Sequence, residues 1–348
     1  MVGVTPQLIK ELREMTGAGM MDCKNALNET NGDLDKAVQA LREAGLGKAA
    51  KKAGNVAAEG LISVLVNSDN TKAVLLELNS QTDFVAKNEN FVNLTKEITT
   101  HTLNNGIADA QTLASSKING EEFQTYLNEK IATIGENLVA RKLSLVSGQV
   151  VNGYVHATGR VGVVLAATCN DAVKDKAAAL LRNIAMHASA MKPTVISYKD
   201  LDPAFVESEN KAIRAEIEAE NDELRRLGKP QKRIPEFVSK SQLTDEAIAA
   251  AKARFEDELK AQGKPEKIWA NIIPGQIERF IADNTQLDGR FALLSQPYVM
   301  DDKKTVEQAI AEVDSSIVIT EYIRFELGEG IEKKEEDFAA EVAKQMGK

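Results

Sequence analysis

The sequence predicts an α+β fold with a helical N-terminal module, a core of two related hairpin-plus-helix subdomains, inserted helical coiled-coil hairpins and a C-terminal helix. Apolar residues recur at helical spacing over the first 45 residues, and the pattern then becomes extended. The order of hairpin followed by helix occurs twice. The predicted segments are 1–55, 56–145, 146–203 with 289–323, 204–288 and 324–348.

Composition indicates an intracellular protein with a protein partner. The 348 residues are 43% hydrophobic, enough for two or more domains. Cys23 and Cys169 lack the spacing of a disulfide framework, and no run of about 18 apolar residues occurs. We therefore expect a cytoplasmic location and no membrane span. The net charge of −9 disfavours a general attraction to phosphate backbones, although a local basic patch could exist, so no direct nucleic-acid contact is expected.

The first 55 residues predict a three-helix module followed by a linker. Thr5 and Pro6 form a capped helix start, and Gly17 ends that helix. A second short helix follows, Asp33 caps a third, and Gly45 is expected to end it. Residues 48–60 are small and basic, which predicts a linker or an exposed helix.

The core pattern is a hairpin and helices, repeated once. LISVLVN from Leu61 and KAVLLELN from Lys72 predict the first hairpin, and a helix follows with Phe91 on its apolar face. QVVNGYVH from Gln149 and VGVVLAATC from Val161 predict the second, before a helix over 171–191. Sequence identity between the copies is too low to prove duplication.

The charged segment 204–288 contains a repeat. DELRRLGKPQKRI from Asp222 aligns with DELKAQGKPEKIW from Asp257, and each copy ends a helix with Gly-Lys-Pro. Five apolar residues before and within the first copy follow a three-four spacing typical of a short coiled-coil seam: Val206, Ile213, Ile217, Leu224 and Leu227. The pattern predicts helical hairpins.

The apparatus of an enzyme is not apparent. Gly45 to Lys48 superficially resembles a phosphate loop, but the earlier glycine is missing and Ala49 replaces the Ser or Thr that binds magnesium. The histidines and cysteines show no metal-ligand spacing. We therefore expect no cofactor, no metal and no covalent chemistry.

Two motifs between predicted elements are candidates for partner contact. TGAGMMDCK, Thr16 to Lys24, suits adaptable packing against a partner, but its residues alone favour a helix-helix turn with core methionines. TDFVAKN, Thr82 to Asn88, follows a strand and precedes a helix, so it fits a loop positioned by a sheet. Periodicity alone favours Phe84 in the core, seven residues before Phe91, with Asp83 as a helix cap.

Three further motifs also have ordinary structural interpretations. His187, in IAMHASAMKP, falls on the apolar side of its helix and is typical of a hydrogen-bonded core histidine. Gly162, in RVGVV, could be an ordinary strand glycine near a turn. QPYVM carries Val299 and Met300, and RFELGEGIEKKEEDFAAEVA from Arg324 predicts an amphipathic C-terminal helix.

TGAGMMDCK, QTDFVAKN, IAMHASAMKP, QPYVM and the C-terminal motif, in this order, resemble the elongation factor Ts family. The resemblance covers Val4 to about Pro193 and Gln296 to the end; the helical insert departs from it. It implies a guanine nucleotide exchange factor of elongation factor Tu. The first module is then similar to a ubiquitin-associated domain, and Met20 and Lys24 contact the partner.

The resemblance also implies roles for the other motifs. Thr82, Asp83, Phe84 and Val85 insert near the switch region of elongation factor Tu and disturb its magnesium and phosphate site. Partner contacts are implied at Gly162, His187, Val299 and Met300, where Gly162 permits close backbone approach. The resemblance further implies that the C-terminal helix contacts the nucleotide-binding domain of elongation factor Tu.

Alternatives to the exchange factor remain at this point. A non-catalytic scaffold would bind elongation factor Tu without accelerating release, and a nucleotide-using enzyme would itself turn over GTP. The helical insert is also compatible with a homodimer.

Overall fold

The computed structural model describes residues 4–332, and its mixture of helices and small antiparallel sheets confirms the α+β class. Two compact units divide the chain, one of residues 1–166 and 323–348 and the other of residues 167–322. The finer division into five segments stays a prediction.

The first unit contains the N-terminal helices and most of the strands. Its elements are α1 (Pro6–Thr16), α2 (Met20–Glu29), α3 (Leu34–Lys52), β1 (Glu59–Val66), β2 (Lys72–Ser80), α4 (Asp83–Ala86), α5 (Glu89–Asn105), α6 (Ala110–Ala114), β3 (Lys117–Ile118), β4 (Glu121–Glu122), α7 (Phe123–Ile134), β5 (Val139–Ser147) and β6 (Val150–Val155). The next strand, β7 (Val161–Thr168), crosses the division between the units.

The second unit is mostly helical. Its elements are α8 (Lys174–Met191), α9 (Pro203–Arg226), α10 (Asp245–Ala261), α11 (Trp269–Asp283), α12 (Gln286–Phe291), β8 (Pro297–Tyr298), β9 (Asp301–Thr305) and α13 (Val306–Val313). The last strand, β10 (Val318–Glu326), returns the chain to the first unit.

The capping signals of the N-terminal helices are confirmed. The Thr5 hydroxyl accepts a hydrogen bond from the Leu8 amide at 3.2 Å, and Gly17 ends α1 in the left-handed conformation, with φ of 66°. The Asp33 carboxylate accepts from the Lys36 amide at the start of α3. The three helices share a small apolar core that includes Leu12, Cys23, Ala26, Leu27 and Ala37.

The prediction that Gly45 ends the third helix is wrong. Helix α3 continues to Lys52, so the first residues of the predicted linker are helical. A Cβ atom added at Gly45 would lie 3.2 Å from the Cβ atom of Ala132 in α7. The glycine therefore permits close packing of α3 on α7, and it does not end the helix.

Two small sheets carry the core of the first unit. Strands β1, β2 and β5 form an antiparallel sheet with β2 in the centre, and the second sheet has the order β10-β7-β6. Alternate residues of β2 face different clusters, as the period of a strand requires. Leu76 and Leu78 pack with helices α5 and α7, whereas Leu75 packs with residues of β6 and β7.

The insert is only partly a set of helical hairpins. Helices α10 and α11 do pair, with the rings of Phe255 and Phe280 packed edge to face at 6.3 Å. Helix α9 is followed by an irregular segment over 227–239, where Pro230 and Pro235 interrupt any helix. Leu227, expected in the seam, is 59% exposed.

The repeated Gly-Lys-Pro motif has the same backbone structure in both copies. Gly228 and Gly263 are left-handed, with φ of 63° and 67°. The amide of Lys229 donates to the Leu224 carbonyl at 2.9 Å, and the amide of Lys264 donates to the Leu259 carbonyl at 3.0 Å. Each copy is a left-handed helix end of the kind the sequence predicts. Over residues 4–332, no helix has the length and apolarity needed to cross a membrane.

Candidate partner-binding site

The TDFVAKN motif folds as a short helix between β2 and α5. Thr82 is the N-cap of α4, and its hydroxyl accepts from the Val85 amide at 3.4 Å. Helix α4 ends after one turn, because Asn88 caps the next helix by accepting from the Asn90 amide at 2.9 Å. The two caps make α4 and α5 separate helices.

A single carboxylate holds this turn in place. Glu136, which follows α7, accepts hydrogen bonds from the backbone amides of Gln81 and Thr82, both at 3.0 Å. Its other oxygen accepts from the Thr82 hydroxyl at 2.6 Å. Hydrogen bonds to a charged acceptor are stronger than neutral ones, so the start of α4 is firmly positioned. No local pattern reveals Glu136, which lies 54 residues from Thr82.

Phe84 lies on the surface, and the prediction from periodicity that it joins the core is wrong. The side chain is 81% exposed, whereas Ala86 is buried and Val85 packs against the core of the first unit. The break at Asn88 resets the helical phase, so the spacing between Phe84 and Phe91 does not place them on one face. A large aromatic side chain held in solvent on a fixed turn is a candidate contact.

Asp83 is the first residue of α4, while Thr82 supplies the cap. The Asp83 carboxylate accepts from the Lys87 ammonium at 2.6 Å, and both side chains are exposed. That hydrogen bond holds the pKa of the Asp83 carboxyl below its usual value. The carboxylate therefore remains charged beside Phe84 at neutral pH.

Helix α2 presents apolar and basic side chains to solvent. Met20 and Met21 are 60% and 64% exposed, so the interpretation of these methionines as core residues is wrong. Lys24 is also exposed, whereas Cys23 between them is completely buried. Helical spacing thus separates an inner face, which packs on α1 and α3, from an outer face suited to a partner.

His187 is completely buried, as its position on the apolar side of α8 predicts. Its Nε2 lies 3.0 Å from Oε1 of Gln296, and its Nδ1 accepts from the Val299 amide at 3.1 Å. This pattern assigns the proton to Nε2. Burial lowers the pKa of His187, opposed by the hydrogen bond to Gln296.

The His187 ring has no exposed surface in the free chain, and the direct partner contact implied for it stays a prediction. The ring supports the turn between β8 and β9, where Tyr298 packs on it with 5.8 Å between centroids. Val299 and Met300, at that turn, are both more than half exposed. The histidine therefore positions the surface residues of QPYVM.

Gly162 lies in the interior of the first unit. A Cβ atom there would lie 2.5 Å from Cγ2 of Ile62 and 2.8 Å from Cδ1 of Leu75. The close approach that the resemblance implies at this position occurs in the structure, but between β7 and the strands β1 and β2 of the same chain. Glycine is required for that packing.

A buried ion pair was missed by the sequence patterns. Glu77 is completely buried in the central strand β2, and both of its oxygens accept from the Arg141 guanidinium, at 2.9 and 3.0 Å. The Gly328 amide also donates to Glu77, and Arg141 donates to the Glu329 carbonyl. The signal was available, since a Glu within KAVLLELN and an Arg within a neighbouring strand suggest a paired charge.

The candidate residues occupy distinct surfaces. The α4 turn and α2 belong to the first unit, while His187, Val299 and Met300 come together in the second unit. Gly162 is internal. The final helix expected after Gly330, with Phe338 and Val342 on one face, lies outside the described residues.

Comparison with known proteins identifies the chain as a translation elongation factor. The family described as Elongation factor TS matches residues 81–235 and 233–329, which together exceed half of the chain. The chain is 99% identical over 348 residues to Elongation factor Ts of Aliarcobacter butzleri strain RM4018, with full coverage of both. It is 55% identical to Elongation factor Ts of Campylobacter hominis, covering 99% of each chain, and 54% identical to that of Wolinella succinogenes, covering 100% of each. The chain belongs to the elongation factor Ts family.

Proposed function

We propose that the chain binds elongation factor Tu carrying GDP and promotes release of the GDP, so that GTP can rebind during translation elongation. It acts by competition between binding states, without covalent chemistry. In this proposal Phe84, with Asp83 and the flanking residues Thr82 and Val85, enters the region of the partner that holds magnesium and phosphate. Loss of the ion exposes phosphate charge and weakens nucleotide binding.

The main support for the proposal is that Phe84 is exposed on the α4 turn, which the hydrogen bonds of Glu136 hold in place. A phenylalanine that is 81% exposed contributes little to its own fold. The three hydrogen bonds of Glu136 fix the turn before any partner arrives. Such preorganisation reduces the entropy that binding would otherwise remove.

Free energies limit what Phe84 can do alone. Accelerating release about 10,000-fold requires roughly 5.5 kcal/mol of differential stabilisation. Burying one phenylalanine side chain supplies about 1.5–3 kcal/mol. Other contacts must therefore supply the remainder.

Two further surfaces are suited to provide the rest of the differential stabilisation. Met20 and Lys24 on α2 offer an adaptable apolar surface next to a positive charge. Val299 and Met300 offer a second apolar surface, supported from below by His187. Phe84 then needs these surfaces to hold it against the partner.

Stopped-flow release of a fluorescent GDP from elongation factor Tu tests the proposal. Adding the chain should accelerate release by several orders of magnitude, and the rate should saturate with its concentration. Binding without acceleration would identify a non-catalytic scaffold, and GTP turnover by the chain alone would identify an enzyme. Sedimentation of the full-length chain tests the homodimer separately.

A further inference from the structure

We propose that the first Gly-Lys-Pro turn of the insert, residues 225–233, is a docking site for the phosphate backbone of double-stranded RNA. This segment, here called the basic turn, is RRLGKPQKR. The proposal concerns a surface separate from those assigned to elongation factor Tu, so it does not depend on the proposed exchange activity.

The basic turn concentrates positive charge in a chain of opposite sign. It contains five basic residues and no acidic one, a formal charge of +5, while the whole chain carries −9. All nine of its residues are exposed. At physiological salt the Debye length is about 8 Å, so distant carboxylates of the chain are screened and the local charge governs contact with a polyanion.

The charges of the basic turn are only partly neutralised. Arg225 pairs with Asp222, and Lys232 pairs with Glu220 at 2.6 Å. Arg226, Lys229 and Arg233 form no ion pair with any carboxylate of residues 4–332. These three cations are available to an external anion.

The backbone holds the basic turn in a defined shape. Asn221, which is buried, donates from its side chain to the Lys232 carbonyl at 2.8 Å and accepts from the Lys232 amide at 2.7 Å. These two bonds close a loop around the left-handed Gly228. Arg225 and Arg226 at the end of α9, Lys229 and Lys232 therefore lie within the closed segment, and Arg233 follows it directly. This short spacing suits the closely spaced phosphates of a nucleic-acid strand.

The composition of the basic turn favours phosphates over other anionic partners. A protein interface is normally centred on buried aromatic or apolar residues, and the only large apolar side chain here is Leu227. The absence of aromatic residues also disfavours stacking on single-stranded bases. Arginine binds phosphate oxygens bidentately, and RNA is the polyanion that a translation elongation factor encounters.

The second copy of the repeat provides a matched control. Residues 260–268 have the same left-handed turn, but their three lysines are accompanied by Glu266, for a formal charge of +2. Arg226 and Arg233 of the first copy correspond to Ala261 and Ile268 of the second. Replacing three cations by glutamine in either copy changes the net charge of the chain equally, from −9 to −12.

The experiment measures binding of a fluorescein-labelled 20-base-pair RNA duplex by anisotropy between 50 and 200 mM salt. The variants are Arg226→Gln with Lys229→Gln and Arg233→Gln, and the control Lys260→Gln with Lys264→Gln and Lys267→Gln. We expect the first to lower affinity at least about tenfold and to reduce the slope of log K against log salt by about 2.7, or about 0.9 per lost phosphate contact. The control should retain the wild-type slope.

Several results would overturn the proposal. Equal losses in both triple variants would mean that only net charge matters. Equal or tighter binding of a DNA duplex, of poly-L-glutamate or of phosphatidylserine vesicles would remove the assignment to RNA. Circular dichroism and melting temperature show whether each variant is folded, and because all the replaced side chains are exposed, no variant should differ from the wild type in either measurement.

Discussion

Glu136 holds Thr82 through both of its carboxylate oxygens, one bonded to the backbone amide at 3.0 Å and the other to the hydroxyl at 2.6 Å. The pair joins the segment after α7 to the N-cap of α4. Because Phe84 is two residues beyond that cap, its position in solvent depends on a carboxylate it does not contact.

Glu136→Gln should loosen the α4 turn. The amide keeps one acceptor oxygen but cannot accept at the other position, so the bond donated by the Thr82 hydroxyl must be reversed or lost. The two backbone amides also lose a charged acceptor, which weakens their hydrogen bonds. We expect amide hydrogen exchange at residues 81–85 to become faster, while the melting temperature changes by only a few degrees. Unchanged protection of these amides would contradict the assigned role.

Phe84→Ala should slow GDP release from elongation factor Tu by about 10- to 100-fold, the equivalent of 1.5–3 kcal/mol of lost burial. The free energy of unfolding of the Phe84→Ala variant should differ from that of the wild type by less than about 0.5 kcal/mol, because the side chain is exposed. Val318→Ala removes an exposed apolar side chain elsewhere and serves as the control.

The two substitutions can be combined to test whether Glu136 acts through Phe84. If it does, Glu136→Gln should have little further effect on GDP release once Phe84 is alanine. Equal effects of Glu136→Gln with and without the phenylalanine would show that the two residues act independently.

Lys24→Ala should weaken affinity for elongation factor Tu more than it changes the release rate at saturation. The charge lies on α2 and not on the α4 turn, so we expect it to contribute to docking in both states of the partner. Titrating the stopped-flow rate against chain concentration separates the two quantities, with Lys10→Ala on α1 as the control. A reduced saturating rate at unchanged affinity would refute this role.

Gly162→Ala should destabilise the fold by about 1–3 kcal/mol, because the new methyl group would overlap Ile62 and Leu75. Gly47→Ala is the matched control, since nothing lies within 4 Å of its added Cβ atom. In helix α3 that change should be neutral or stabilising by up to about 1 kcal/mol. Thermal unfolding of both variants measures the difference, and similar melting temperatures would contradict the packing argument.

The buried His187 should make the second unit less stable in acid. Its folded pKa is lowered, so the unfolded chain binds the proton more readily. The stability is therefore complete above about pH 6.5, the unfolded pKa, and is lost as pH falls from there through the folded pKa. A proton on Nδ1 would also oppose the Val299 amide, so the β8–β9 turn should loosen.

His187→Gln tests this pH dependence. Glutamine does not titrate, so the loss of melting temperature between pH 7.5 and pH 5.5 should be smaller in the variant than in the wild type. His101, whose pKa burial also lowers, is present in both proteins and cancels in the comparison. Parallel curves for the two proteins would exclude His187 as the source.

Local patterns predicted the three N-terminal helices, both hairpins and the helices that follow them, because caps and apolar periods act over a few residues. Thr5, Gly17 and Asp33 are examples. Gly45 could not be predicted correctly, since its role depends on Ala132, a residue 87 positions away. A glycine that ends a helix and one that permits close packing look the same in a sequence.

At the candidate site, too, local sequence patterns do not show which residues pack together. Periodicity placed Phe84 in the core because it cannot detect the cap at Asn88 that separates α4 from α5. The resemblance placed Phe84 at the surface, as the structure does, but it gave no sign that the His187 ring is covered by its own chain. Burial of a side chain depends on tertiary packing, which neither method represents.

The ion pair between Glu77 and Arg141 has a mechanical consequence for the C-terminal segment. The backbone at Gly328 and Glu329 is fastened to these two side chains, and Glu77 belongs to the central strand of its sheet. A force applied to the chain beyond Glu329 would therefore act on β2 as well as on the preceding strand β10. Strand β2 is hydrogen-bonded to β1 on one side and to β5 on the other. The last described residues are thus tied to the central strand of a sheet to which their own strand does not belong.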